Sequence, residues 1–315
     1  MRVSKAFLGK LPLAPLVIVV VSAVAVQAEP AGDTPWARVT EDDRAIKIET
    51  DKLEAVIPKK DPKHWMTGIE KGSFLDKATG FREAGDGLCI VDFLMEPGSD
   101  EAWRDQLRAA GRFVYLFNNQ KHGKRAKRVV EGPQLCHEMK PVQPQVIRGE
   151  DFLAVKTTYR FEYAAPGRKT GSLWTQLLVF PKGERYFFSM DRIDSVNDAD
   201  EMTLHIDYRR DTNEIPEHFI CAYRLRDPAT GKQGPWLAGI TLGPSVVYEA
   251  WCNQRPEIVI FILEFGGRPI KAGESFSAAF IVGYFDTIDA MHAVNDCYKG
   301  HTALSVDGSG CRLVK

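Results

Sequence analysis

From Ala45 to Ile57 the chain reads AIKIETDKLEAVI, with apolar and polar residues alternating at a period near two. That period puts every second residue on one side of an extended backbone, which is the pattern of half-buried β-strands. Further strands are expected at 88–95, 112–117, 152–163, 173–180, 186–196, 202–208, 219–225, 237–242, 246–251, 258–265 and 276–284. Turn residues separate them, including Pro166-Gly167, Pro181-Lys182-Gly183, Gly234-Pro235, Gly266-Gly267 and Ala272-Gly273. The sequence Asp76-Lys77-Ala78-Thr79-Gly80 reads as a tight turn, with Gly80 able to take the positive φ such turns need. Helical periodicity is confined to 101–110 and 287–298. A chain patterned this way must bury many short strands against one another. The expected fold is therefore all-β, a sandwich or barrel with few short helices.

The N-terminus bears on compartment. Arg2, Lys5 and Lys10 precede an apolar run over 13–26, and Val26-Gln27-Ala28 offers small residues at a cleavage position. The run is about 14 residues, short of the roughly 20 that span a bilayer, so residues 1–28 are expected to be a secretory signal peptide. Residues 29–43 read as a polar leader and 44–315 as one domain, secreted or periplasmic, with no membrane span after cleavage. Cleavage removes three of the 41 basic residues and leaves 38 against 42 acidic ones. That balance argues against a general nucleic-acid binder. Six cysteines, Cys89, Cys136, Cys221, Cys252, Cys297 and Cys311, permit up to three disulfides in an oxidising compartment. Cys297 with Cys311 is the pair expected first. No sequence motif calls for a metal or an organic cofactor.

Three segments carry a family resemblance. IKIETDKLEAVI leading to GSFLDKATGF resembles the first hairpin of galactose-mutarotase-like β-supersandwich proteins. FPKGERYFFSMDRIDSVND resembles their central strand pair, and RPIKAGESFSAAFIVGYFDTIDAM their closing strand and short helix. That superfamily holds sugar mutarotases and epimerases and the sandwich domains of polysaccharide lyases. The resemblance implies carbohydrate handling on one face of a large antiparallel sandwich, but leaves the reaction open. TLHIDYRRD, the nearest histidine-bearing strand, differs from the motif around the mutarotase histidine, which points away from plain mutarotation.

Proton transfer on a sugar needs an acid and a base with matched pKa values, and elimination from a uronate also needs a group to neutralise its carboxylate. His137, His205 and Tyr208 are the candidate proton-transfer groups. Arg209, Arg210 and His218 follow in the same region, and arginine suits a carboxylate because its planar fork binds both oxygens. In YEAWCNQR, residues 248–255, alternation puts Glu249, Trp251 and Asn253 on one face and Cys252 on the other. An indole beside a carboxylate and an amide is the make-up of a sugar platform, and Arg255 would favour an acidic sugar. Residues 253–255 are expected to turn into the next strand. The run KHGKRAKR, 121–128, places five cations in eight residues and suits a polyanion. His64-Trp65 is a further possible sugar contact. The expected partner is an acidic polysaccharide or oligosaccharide, cleaved by β-elimination. The alternatives are a hexose mutarotase or epimerase, pairing His205 or His137 with Glu249 or Glu264, and a non-catalytic carbohydrate-binding envelope protein.

Overall fold

Strands β12 (Leu173–Pro181), β13 (Tyr186–Asp194) and β19 (Ser275–Phe285) are apolar on both sides of the backbone, and their place in the fold explains why. They form the middle of a seven-stranded antiparallel sheet completed by β10 (Lys140–Arg148), β11 (Phe152–Arg160), β15 (Ile220–Arg226) and β16 (Gln233–Thr241). The order is β10-β11-β12-β13-β19-β16-β15. The computed structural model describes residues 35–59, 68–83, 87–95, 109, 121–122, 125–126, 140–161, 168–209, 220–227, 229–243, 247–255 and 258–315. Among them the architecture is an all-β antiparallel sandwich.

Two four-stranded sheets accompany the large one. The first joins β1 (Ala37–Glu41), β2 (Ala45–Thr50), β3 (Leu53–Pro58) and β5 (Leu75–Asp76). The second has the order β17-β18-β14-β7, from Val247–Arg255, Ile258–Ile270, Ala199–Arg209 and Ile90–Met95. Trp174, Phe180, Phe187 and Phe280 of the large sheet share one buried cluster with Ile46, Ile48 and Leu53 of the first small sheet and Phe265 of the second. Phe265 stacks on Phe280 with ring centroids 5.9 Å apart. The opposite face of the large sheet, with Leu177, Val179 and Ile281, is covered by Met291 of helix α1 (Ile288–Tyr298) and Leu304 of β20 (Ala303–Asp307). Each such apolar side chain contributes about 1.5–3 kcal/mol on burial. A sheet covered on both faces loses the alternation that marks a strand with one wet side.

Tyr284 ties the first small sheet to the large one. Its hydroxyl donates to the Phe74 carbonyl at 2.6 Å and accepts from the Glu83 amide at 3.0 Å, and its ring stacks on Phe74 at 4.8 Å. Tyr284→Phe would keep the ring contact and the bond from the Glu83 amide to the Phe74 carbonyl at 2.8 Å, losing only the hydroxyl that bridges them. We expect a loss of about 0.5–1.5 kcal/mol in urea unfolding at neutral pH.

Several elements differ from the sequence expectation, each for a physical reason. The expected leader contributes β1, whose Ala37–Glu41 pair with Thr50–Ile46. Strand β10 escapes pattern reading because it contains Pro141 and Pro144. It lies at the sheet edge, where a missing amide is tolerated, and its register shifts between Val142 and Gln145. Gly266 and Gly267 do not turn the chain: β18 runs through them, with φ of 107° and 64°, past a register irregularity opposite Met202 and Thr203. Glycine meets such a bulge at little steric cost. Residues 253–255 continue β17 instead of turning. β20 and β21 (Gly310–Val314) form a C-terminal hairpin. Within the basic run, β8 (Lys121–His122) pairs with β9 (Arg125–Ala126). The short pair β4 (Ile69–Glu70) and β6 (Gly87–Leu88) leads into β7.

The expected disulfide is absent. Cys297, exposed in the last turn of α1, and Cys311, half-buried on β21, both carry free thiols. Burial pushes the Cys311 thiol up to about 11. The two cysteines sit on different elements, and Cys311 is paired across the hairpin with Val306, so nearness in sequence does not bring the sulfurs together. The expected helix at 287–298 forms one residue later, with the Thr287 hydroxyl capping it by accepting from the Ala290 amide at 3.1 Å.

Candidate functional site

The second small sheet brings together residues that are far apart in sequence. Across β17, β18 and β14, Glu249 stands opposite Glu264, which stands opposite His205, and Phe93 of β7 completes the row. One step along, Trp251, Ile262, Asp207 and Ile90 are aligned, followed by Asn253, Ile260 and Arg209 and then by Arg255 opposite Ile258. Directly opposed residues of antiparallel strands lie on the same face. Glu249, Trp251, Asn253, Arg255, His205, Asp207 and Arg209 therefore occupy one face of one sheet. From the His205 row to the Arg209 row is about 13 Å along the strand, and β14 to β17 is about 10 Å across.

The other face of this sheet is composed differently. It carries Phe265, which is fully buried, opposite Leu204 and Val247, then Ala250, Leu263 and Ile206, then Cys252, Phe261 and Tyr208. Phe265 packs in the core, so this is the core side. Tyr208 is thus placed on the face opposite His205, and Cys252 on the face opposite Trp251. His137, Arg210, His218 and the His64-Trp65 pair lie outside the described residues.

The row of two glutamates and a histidine is chemically notable. Like charges directly opposed across a sheet are destabilising, so Glu249 against Glu264 has no value for folding alone. The row has the composition of an acid–base set, two glutamates and a histidine, with Arg209 and Arg255 further along the same face. Among the described residues no three of His, Cys, Asp and Glu converge to hold a metal ion, and no helix is long and apolar enough to cross a membrane.

A second cluster escapes sequence reading. Asp191 on β13 is fully buried, and its Oδ1 accepts from Trp174 Nε1 at 2.9 Å and Gln176 Nε2 at 3.2 Å. Tyr159 stacks on Trp174 at 4.5 Å. Burial raises the Asp191 carboxyl to about 7, partly opposed by these two donors. Nothing in SMDRID marks this residue: it stands in phase with the buried Ile193, but it is polar where an inward position would be apolar.

A shallow groove on the β1–β3 sheet, lined in part by Arg38, Glu49, Glu54 and Arg82, holds charges already paired with one another. Arg38 meets Glu49 at 2.5 Å and Arg82 meets Glu54 at 3.4 Å. Exposed pairs of this kind contribute little.

No protein-family model matches the sequence, and no curated protein matches it. Solved structures do. A heparan sulfate lyase, HepC from Pedobacter heparinus, is 15% identical with a TM-score of 0.47, over 89% of this chain and 42% of the lyase. A mutant of the same lyase gives 13% and 0.46 over the same shares. A protein described as a kojibiose phosphorylase, from the human microbiome, is 8% identical with a TM-score of 0.37, over 84% of this chain and 36% of its own. The chain thus spans about two fifths of the length of the solved chains it matches.

Proposed function

We propose that this chain is a carbohydrate-active enzyme that cleaves an acidic, uronate-containing polysaccharide by β-elimination outside the cytoplasm. The observation that carries the reading is the shared face of β14 and β17, which aligns a proton-transfer row with two arginines and a tryptophan. In the reaction His205 takes the proton α to the uronate carboxyl group. The C–H electron pair becomes the new C=C bond, the C–O bond to the leaving sugar breaks, and the leaving oxygen takes a proton from solvent water, to which His205 then returns its own. Arg209, the nearer arginine, neutralises the carboxylate as enolate charge develops. Arg255, about 20 Å along the strand from the His205 row, holds the carboxylate of a neighbouring sugar, and Trp251 stacks on a sugar ring. The bonds balance without a cofactor. Export is supported by the cationic start and apolar run of residues 1–28.

The row Glu249–Glu264–His205 also favours a second reading, a mutarotase or epimerase, because a carboxylate and an imidazole are the pair that opens and closes a hexose ring. Incubation with a panel of uronate polysaccharides, followed by absorbance of the unsaturated product, tests the first. Polarimetry on freshly dissolved hexoses tests the second. A folded protein giving no absorbance rise on any uronic polymer sinks the lyase, and retention on an anionic glycan column without turnover would leave a binding protein.

A further inference from the structure

Two buried aspartates of this fold are treated in opposite ways. Asp76 is matched by Arg185, with the guanidinium Nη2 at 2.5 Å. Asp191 has no cation among the described residues. Its Oδ1 takes the two donors from Trp174 and Gln176, and its Oδ2 has no hydrogen-bond partner. The groups on the same face around it are Tyr159 and Thr157 of β11, Trp174 and Gln176 of β12, Ala278 and Phe276 of β19, and Cys89 just before β7. Among the described residues the titratable ones are a phenol and a thiol, neither a cation, and burial pushes Tyr159 well above its ordinary value. On the core side of the facing small sheet the register adds Tyr208 and Cys252, again a phenol and a thiol. A carboxyl in such surroundings keeps its proton, since an ionised form would be a buried charge with nothing to neutralise it.

Gln176 extends the contact. Its Nε2 also donates to the Cys89 carbonyl at 3.0 Å. Cys89 is fully buried with φ at 57°, a left-handed conformation that a residue with a Cβ holds only when its surroundings enforce it. Immediately after it begins β7, the edge strand of the second small sheet, whose Ile90 and Phe93 pair with Asp207 and His205. The chain of contacts therefore runs from the buried carboxyl through one amide to the strained start of this edge strand.

We propose that Asp191 is a proton-operated latch of the sandwich. In its neutral form it shares Gln176 with the Cys89 carbonyl and keeps the start of β7 seated. Once ionised, the carboxylate draws the Gln176 amide or solvent water to its unpartnered oxygen, the bond to Cys89 is lost, and the edge beside β14 loosens. The sign follows from the shift. An unfolded aspartate ionises near about 3.9, whereas Asp191 in the fold ionises near about 7. Between those values the folded chain binds a proton that the unfolded chain has released, so stability falls as pH rises through that window. The contribution is complete below the lower value and gone above the upper one. The inference does not depend on which reaction the protein performs.

Amide hydrogen exchange of the full chain, read by mass spectrometry at about pH 5.5 and about pH 8.5 and corrected for intrinsic rates, tests it. The peptide covering 87–95 should exchange about tenfold faster at the higher pH in the wild type. Asp191→Asn, which cannot ionise, should show equal protection at both, and Gln176→Met should exchange fast at both. No pH response in the wild type, or the same response in Asp191→Asn, overturns the latch. Should Asp191→Asn not fold, a carbon-13 titration of the wild-type aspartate carboxyls decides: a midpoint near about 7 for Asp191 supports the latch, and one near about 3.9 removes it.

Discussion

Asp76→Ala is expected to destabilise the protein by about 3–5 kcal/mol, because it removes the buried carboxylate of this pair and leaves Arg185 only the exposed Asp286. The Asp76 side chain is fully buried, and Arg185 holds it with Nε at 3.0 Å and Nη2 at 2.5 Å while also reaching Asp286 at 2.8 Å. The same carboxylate organises the Asp76–Gly80 turn. It accepts from the Thr79 hydroxyl and from the Ala78 amide at 3.2 Å, and the Gly80 amide closes the turn on the Asp76 carbonyl at 2.8 Å. Gly80 has φ at 75°, as the turn requires. Arg185 opens β13, so the pair joins the first small sheet to the large one. Urea unfolding measures the loss, and Asp76→Ala combined with Arg185→Met should cost less than the sum of the two single changes. Additive costs would mean that the two residues act separately.

His205→Gln is expected to lower kcat/KM on a uronate polysaccharide by about 10²–10⁴-fold, the usual contribution of a positioned proton-transfer group. Tyr208→Phe should leave it within a few-fold, because β14 places Tyr208 on the core face with Ile206, one residue out of phase with Asp207. Both variants should unfold at similar urea concentrations. Equal losses at the two positions would mean that the chemistry does not lie on the Glu249–Glu264–His205 face.

Much of this contrast was half visible in the sequence. Alternation within TLHIDYRR separates His205 and Asp207 from Tyr208, and alternation within YEAWCNQR separates Glu249, Trp251 and Asn253 from Cys252. Neither segment reveals that the two sets share a face. That depends on both strands pairing with β18, and on a bulge at Tyr248 and the irregularity at Gly266-Gly267 that set the register. A slip of one residue in either strand would have sent its set to the other side. Asp191 was invisible for a different reason: it lies in phase with the buried Ile193, but a lone aspartate in a strand reads as a solvated position.

By itself the sequence determined what local periodicity and turn chemistry can determine. It determined an all-β chain, the Asp76–Gly80 turn and a helix near the C-terminus. Those properties depend on residues within a few positions of one another. Tertiary structure alone decided the edge placement of the proline-bearing β10, the free thiols of Cys297 and Cys311, the assembly of the His205 face and the burial of Asp191. Each of these rests on which strand lies beside which, and that is settled by the packing of the whole core and not by any one segment.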